Sequence, residues 1–120
     1  MSTQHLGRIG EQSVRKYLED KGWHFVAQNV RIGKDELDLI MMDGETLVFV
    51  EVKLRKSARF AQAMEYVDRH KQDRLRITAS MYLSKSPTTL QPRFDVVEIY
   101  APAGPATEKP EIYHLEDAFQ

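Results

Sequence analysis

The sequence predicts a single α/β domain with its elements in the order α-β-β-β-α-β and a further short strand at the end. Three observations carry that prediction. A helical stretch near the start is followed by three strand-like runs. The third run, "TLVFVEVKLR" (Thr46–Arg55), is apolar on both faces, as a strand in the middle of a covered sheet must be. A second helical stretch then separates it from another apolar run, "RFDVVEIYA" (Arg93–Ala101). The 120 residues make one domain, residues 1–120, large enough for a single core.

The elements follow in chain order. A helix is expected from about Leu6 to Lys21. Val14, Tyr17 and Leu18 form its apolar stripe, and Gly22 is its stop. "WHFVAQNVRI" (Trp23–Ile32) and "ELDLIMM" (Glu36–Met42) read as strands. Asp43-Gly44 is a hairpin signal between the second strand and Thr46–Arg55, because glycine tolerates the positive φ of a tight turn. "SARFAQAMEYV" reads as a loop with some helical turn. From about Asp68 to Ser84, Leu75, Thr78, Ala79, Tyr82 and Leu83 recur at helical spacing, and Pro87 ends the element. "PAGPATEKP" has nothing to bury and reads as a surface loop, and "EIYHL" as an edge strand.

Composition narrows the function. There is no cysteine, so disulfides and thiolate metal sites are excluded. No apolar run approaches the roughly 20 residues needed to cross a bilayer. The opening "MSTQHLGRIGEQ" lacks the apolar core of an export signal, and a cytoplasmic location away from membranes is expected. The net charge of −1 hides an asymmetry. Residues 53–76 hold eight Lys and Arg against Glu65, Asp68 and Asp73, while the chain from Phe94 onward has one Lys against six acids. A locally basic band suits a phosphate-rich partner, although a solvated helix and loop would account for it equally well.

The chemistry-bearing residues converge. With Asp43 and Gly44 as the two turn residues, Met42 faces Glu45, Asp38 faces Phe49, and Glu51 is the diagonal neighbour of Asp38. Side chains alternate along a strand, so Asp38, Phe49, Glu51 and Lys53 share one face. Two carboxylates on a buried sheet repel, so either one is protonated or a cation binds. Hard oxygen ligands without Cys or His favour Mg²⁺ or Mn²⁺ over Zn²⁺. Lys53 can sit beside a phosphate or an attacking water and stabilise developing negative charge. On the first helix Glu11 lies toward the apolar stripe and is a candidate third ligand. On the second, Lys71 and Gln72 lie one turn before Leu75, so at least one of them points toward the sheet. Taken singly, each residue has a plainer explanation. Asp38 suits a strand end, Glu51 and Lys53 an ion pair, and Glu11, Lys71 and Gln72 a solvated helix surface. Gly7 and Gly10 suit helix packing, and His70 and His114 have no assigned role. The conjunction D-x12-E-x-K across a tight hairpin is what points to chemistry.

That D…E-x-K pattern resembles the PD-(D/E)XK nuclease superfamily. "GRIGEQSVRKYLEDKGW", "NVRIGKDELDLIMMDGETLVFVEVKLRKS", "RHKQDRLRITASMYL" and "RFDVVEIY…IYHLEDAF" together look like the YraN family of small bacterial proteins, described as predicted nucleases related to Holliday-junction resolvases. The match runs from Gly7 to Phe119. The resemblance implies a restriction-endonuclease-like core, with a central mixed sheet flanked by helices. Asp38 and Glu51 match the metal-binding acids, with the Val52 carbonyl as a further ligand. Lys53 matches the catalytic lysine and Glu11 the helix glutamate of resolvase-like members. Gln72 matches a polar residue that orients water or substrate. Leu37 stands where the superfamily has Pro. "KDE" stands where glycines are expected, so Lys34 and Asp35 alter the loop over the site.

The expectation is therefore a Mg²⁺- or Mn²⁺-dependent deoxyribonuclease that acts on branched, flapped or single-stranded DNA in recombination or repair. Arg55, Lys56, Arg59, Arg69, Lys71, Arg74 and Arg76 would grip phosphates, reading structure rather than sequence. A homodimer and a helicase or recombination-protein partner follow by analogy with junction-cutting enzymes. Two alternatives stand beside it: a non-catalytic DNA-binding or scaffold module on a nuclease fold, and an unrelated protein whose acids form plain ion pairs.

Overall fold

The computed structural model describes residues 3–55, 68–101 and 109–120, with side chains from residue 10 onward. The elements are α1 (Thr3–Asp20), β1 (His24–Ile32), β2 (Asp35–Asp43), β3 (Thr46–Arg55), α2 (Arg69–Lys85), β4 (Gln91–Tyr100) and β5 (Glu111–Phe119). Lys56, the stretch "SARFAQAMEYV" with Arg59, most of "PAGPATEKP", and the packing around Gly7 lie outside what is described.

The five strands form one mixed sheet in sequence order, β1-β2-β3-β4-β5. Only β3 and β4 run parallel; the other neighbours are antiparallel. Parallel neighbours need a crossover, and α2 lies within it. The double-faced apolarity of β3 follows from its central place, because a helix packs over each side. Val14 and Leu18 of α1 meet Leu39, Met41, Val48, Val50, Val97 and Ile99. Leu75 and Ala79 of α2 meet Ile40, Phe49, Val96 and Phe119 on the opposite face. Fully burying an aliphatic side chain of this size contributes about 1.5–3 kcal/mol, so these two layers hold the sheet together.

The helix ends are built as the sequence predicts. At the end of α1, Trp23 N–H donates to Leu18 O (3.1 Å) and Gly22 N–H to Glu19 O (2.9 Å). Gly22 takes φ +95°, so this is a Schellman stop with Trp23 packed into the same cluster as Leu18. Asp68 caps α2 by accepting from Lys71 N–H (2.8 Å).

Two expectations are corrected. The β2–β3 hairpin turns on Gly44 and Glu45 rather than Asp43 and Gly44. Asp43 pairs with Thr46, and Ile40, not Asp38, faces Phe49. Gly44, at φ +60°, takes the first turn position, while Asp43 stays in the strand with Arg93 Nη1 3.7 Å from its carboxylate. The partner of each β2 residue thus moves by two positions, which leaves every side chain on its expected face. The last strand is also longer than "EIYHL". It runs to Phe119 because a bulge absorbs Glu116–Ala118, between the pairs Val96↔Leu115 and Phe94↔Phe119. Asp117 there adopts φ +51°, and its N–H donates to Asp95 Oδ1 (2.9 Å).

Candidate active site

The site lies where β2 and β3 stop pairing. Leu39↔Val50 is the last pair of that ladder, although β2 starts at Asp35 and β3 continues to Arg55. One step beyond, in the same register, Asp38 lies across from Glu51. Asp38 takes over the ladder's role with its side chain: Oδ2 accepts from Val52 N–H at 3.0 Å. The contribution seen from Val52 is therefore its amide, which fixes the carboxylate between the separating strands.

Glu51 is buried at 7% exposure. Lys53 Nζ and Lys71 Nζ each lie 3.6 Å from its Oε1. Of the two α2 candidates, Lys71 meets Glu51, and Gln72 Oε1 accepts from Arg76 Nη2 (3.3 Å). Glu11 reaches the site from α1. One carboxylate oxygen from each of Glu11, Glu36 and Asp38 lies within 4.8 Å of the others. A void of about 10 Å³, the size of one water, is bordered by Asp38 and Glu51 beside Phe49 and Leu75.

The electrostatics record this crowding. Burial first, and then the charge of Glu51, push the Asp38 carboxyl from 3.8 up to about 8. The Val52 N–H opposes the rise, Glu11 adds to it, and Lys71 opposes it. Such a constellation suits a hard divalent cation, which would offset the repulsion that protonation otherwise relieves. The clustered donors fit Mg²⁺ or Mn²⁺: carboxylates of Glu11 from α1 and of Glu36 and Asp38 from β2, with Glu51 of β3 outside that cluster and no nitrogen or sulfur ligand in it.

The sequence reading missed Glu36, Asn29 and Glu98. Glu36 precedes Asp38 by two residues, and strand alternation alone places both on one face. Asn29 sits across β1 from Asp38, between the pairs Gln28↔Leu39 and Val30↔Leu37, at φ +51°. With its nitrogen turned to the acids, its amide donates to both Glu11 oxygens (2.9 and 3.0 Å) and to Glu36 Oε1 (2.9 Å). Asparagine tolerates the left-handed region better than most residues, a signal too general to have singled it out. Glu98, on β4 beside Lys53, is 1% exposed, and its nearest described cation is Arg55 Nε at 4.0 Å. Burial raises its carboxyl, and Arg55 opposes that rise.

The basic band divides. Lys71 and Arg74 face the acids, Arg74 through an ion pair with Asp35. Arg69 and Arg76 instead share Asp73, at 3.5 and 2.7 Å. Arg55 pairs with Glu98.

His114 also has a place. Its side chain is buried at 3% exposure, Nε2 lies 2.7 Å from Asp95 Oδ2, and Lys21 Nζ lies 3.2 Å from Nδ1. A lysine ammonium can only donate, so Nδ1 accepts and Nε2 carries the proton given to Asp95. Asp95 also accepts from Arg93 Nε (2.8 Å) and Nη2 (2.9 Å). Burial alone would raise this carboxyl, but His114, Arg93 and the Asp117 N–H together hold it below the ordinary value. Asp95 is fully committed to structure.

Known proteins resemble this sequence. The model of the family described as "Uncharacterised protein family UPF0102" matches residues 10–99. A UPF0102 protein of Symbiobacterium thermophilum is 43% identical over 98 residues, covering 81% of this chain and 83% of its own. The UPF0102 protein YraN of Salmonella arizonae is 42% identical over 100 residues, covering 81% and 76%. A UPF0102 protein of Pelotomaculum thermopropionicum is 38% identical over 115 residues, covering 95% and 94%. With a family match over most of its length and relatives at this identity, the chain belongs to the UPF0102 family, to which YraN also belongs.

Proposed function

We propose that this protein is a Mg²⁺- or Mn²⁺-dependent deoxyribonuclease of the PD-(D/E)XK type, hydrolysing phosphodiester bonds in branched, flapped or single-stranded DNA. The carrying observation is Asp38: a partly buried carboxyl fixed by Val52 N–H and pushed up to about 8 beside Glu51 and Glu11. A site that repels its own acids at neutral pH is built for a cation. Asp38 and Glu11 would hold it together with Glu36, whose carboxylate clusters with theirs, and Glu51, whose charge acts on Asp38, is the further acid of the proposed set. When bound, the ion polarises a phosphate and lowers the pKa of a coordinated water. Lys53, on the sheet face of Glu51, neutralises charge that develops on the phosphate and positions the attacking water. Lys71 carries a second positive charge to the same carboxylate from the opposing helix. Recombination or repair is the setting that suits such substrates. A second copy of the chain would supply the paired cut that a four-way junction requires, and a helicase or recombination protein is the partner proposed by analogy.

The two lysines on Glu51 favour one second reading, in which they neutralise the acids permanently and the fold binds DNA without cutting it. A cleavage panel separates the two. Linear, single-stranded, flapped and four-way-junction DNA are incubated with Mg²⁺ or Mn²⁺ and wild type, Glu51→Ala or Lys53→Ala. The expected result is cutting by wild type and a loss of about 10²–10³ in rate for Lys53→Ala. Equal cutting by all three proteins overturns the catalytic assignment, and binding without cutting establishes the scaffold reading.

A further inference from the structure

A polar cleft opens beside Asp38 between the β1–β2 turn and α2. Its volume is about 250 Å³, and its lining sets Lys34, Lys71 and Arg74 against Asp35, Glu36 and Asp38, with Leu75 and Thr78 completing the wall. That is smaller than the roughly 300–1,000 Å³ of a small-molecule pocket, so it suits one sugar-phosphate unit and not a duplex. We propose that Lys34, Lys71 and Arg74 form a phosphate subsite for the DNA strand next to the cleaved bond, and that Asp35 occupies this subsite in the free protein. The inference rests on the nuclease reading for its ligand, but on separate residues for its geometry.

The turn explains the placement. Ile32 pairs with Asp35 across Gly33 and Lys34, and Gly33 takes φ +63°. A two-residue turn fixes the backbone of Lys34 and Asp35 over the first turns of α2. Arg74 Nη2 meets the Asp35 carboxylate there. An arginine fork matches a phosphate as it matches a carboxylate, with two parallel N–H donors. The Asp35 and Arg74 side chains are 33% and 49% exposed, and an ion pair so open to water contributes little. A strand phosphate can therefore displace Asp35 into solvent and take its place on Arg74. Lys71 then bridges two neighbouring groups, the phosphate and Glu51 (3.6 Å). Asp35 becomes a selectivity device: only a phosphate delivered into the cleft, as from a splayed or single strand, exchanges with it.

The test is a double-mutant cycle on binding. Affinity for a fluorescent single-stranded oligodeoxynucleotide is measured in EDTA, so that no strand is cut, for wild type, Asp35→Asn, Arg74→Gln and the double variant. Melting curves verify that each is folded. Asp35→Asn is expected to tighten binding about two- to fivefold with Arg74 present and not measurably with Arg74→Gln. Arg69→Gln, whose partner is Asp73, serves as a control, because the gain from Asp35→Asn persists in it. An equal gain with and without Arg74 means that Asp35 acts only through its general field and overturns the proposal. So does a wild type that binds no DNA. If the coupling appears but no DNA is cut with Mg²⁺ or Mn²⁺, the subsite stands and the catalytic reading alone falls.

Discussion

Asp38 concentrates the chemistry of this protein in one carboxyl group, and its behaviour with pH is open to direct measurement. Burial and the neighbouring Glu51 and Glu11 charges lift its pKa from 3.8 to about 8. The folded protein therefore holds that proton more tightly than the unfolded chain does. The stabilisation is complete below pH 3.8 and is lost as pH rises toward about 8. Thermal melts of metal-free protein across this window should show a wild-type melting temperature that declines relative to Asp38→Asn, because the amide has no charge to bury. Added Mn²⁺ should raise the wild-type midpoint most at the alkaline end and leave Asp38→Asn unmoved. Midpoints that track each other at every pH, with and without Mn²⁺, refute the assignment. Glu36 extends the same logic. Its carboxylate stands with Glu11 and Asp38, so Glu36→Gln should weaken Mn²⁺ binding by calorimetry about as much as Glu11→Gln does. An unchanged affinity would show that Glu36 only receives the Asn29 amide.

The β2–β3 hairpin shows what sequence alone could and could not place. The alternation of "ELDLIMM" and "TLVFVEVKLR" put Asp38, Glu51 and Lys53 on one face, and a turn shifted by one residue did not disturb that, since a two-position slip preserves faces. What alternation could not supply was the end of the ladder at Leu39↔Val50, because the Val52 amide binds a side chain there instead of a strand. The same limit hid the end of β5. Asp95 lies in an apolar strand, and its partners arrive from β5 and from its own strand at Arg93, across 19 and 2 residues. No local pattern announces such a network, yet it sets the bulge that extends the last strand. Asp95→Ala should destabilise the protein by on the order of 3 kcal/mol, because Arg93 would lose its buried counter-charge and His114 its hydrogen-bond acceptor. With its carboxyl held below the ordinary range, the stabilisation from Asp95 is present above that range and lost as pH falls through the lowered value. Denaturant melts of wild type and Asp95→Asn should thus converge in acid and separate near neutrality. A constant gap would remove the ion network from the account.

At the scale of the molecule, the layers leave an acidic site facing cationic side chains on one helix, and that arrangement bounds how the proposed DNA substrate would be held. The sequence band of eight Lys and Arg between residues 53 and 76 suggests a broad grip. Folding withdraws part of it: Arg55 turns to Glu98, and Arg69 and Arg76 turn to Asp73. Lys71 and Arg74 line the cleft with Lys34, which the band does not contain, although they too have acid partners in Glu51 and Asp35. Pairing of this kind depends on which acids the fold brings near, so it could not be read from the spacing of charges. It has a thermodynamic consequence, since each phosphate neutralised releases condensed counterions and adds about −0.7 to the slope of log K against log salt for a single strand. The three cleft cations contribute about −2 to that slope and Lys53, Lys56 and Arg59 at most about −2 more, still shallower than a fully engaged band of eight would give. Titrations of a single-stranded oligonucleotide in EDTA between low and moderate salt measure this directly. Lys71→Gln should lower the slope by about one such increment, and Arg69→Gln should change it less. A wild-type slope near −5 or steeper would mean that the paired arginines let go of their acids on binding, and that the grip extends over the whole face of α2.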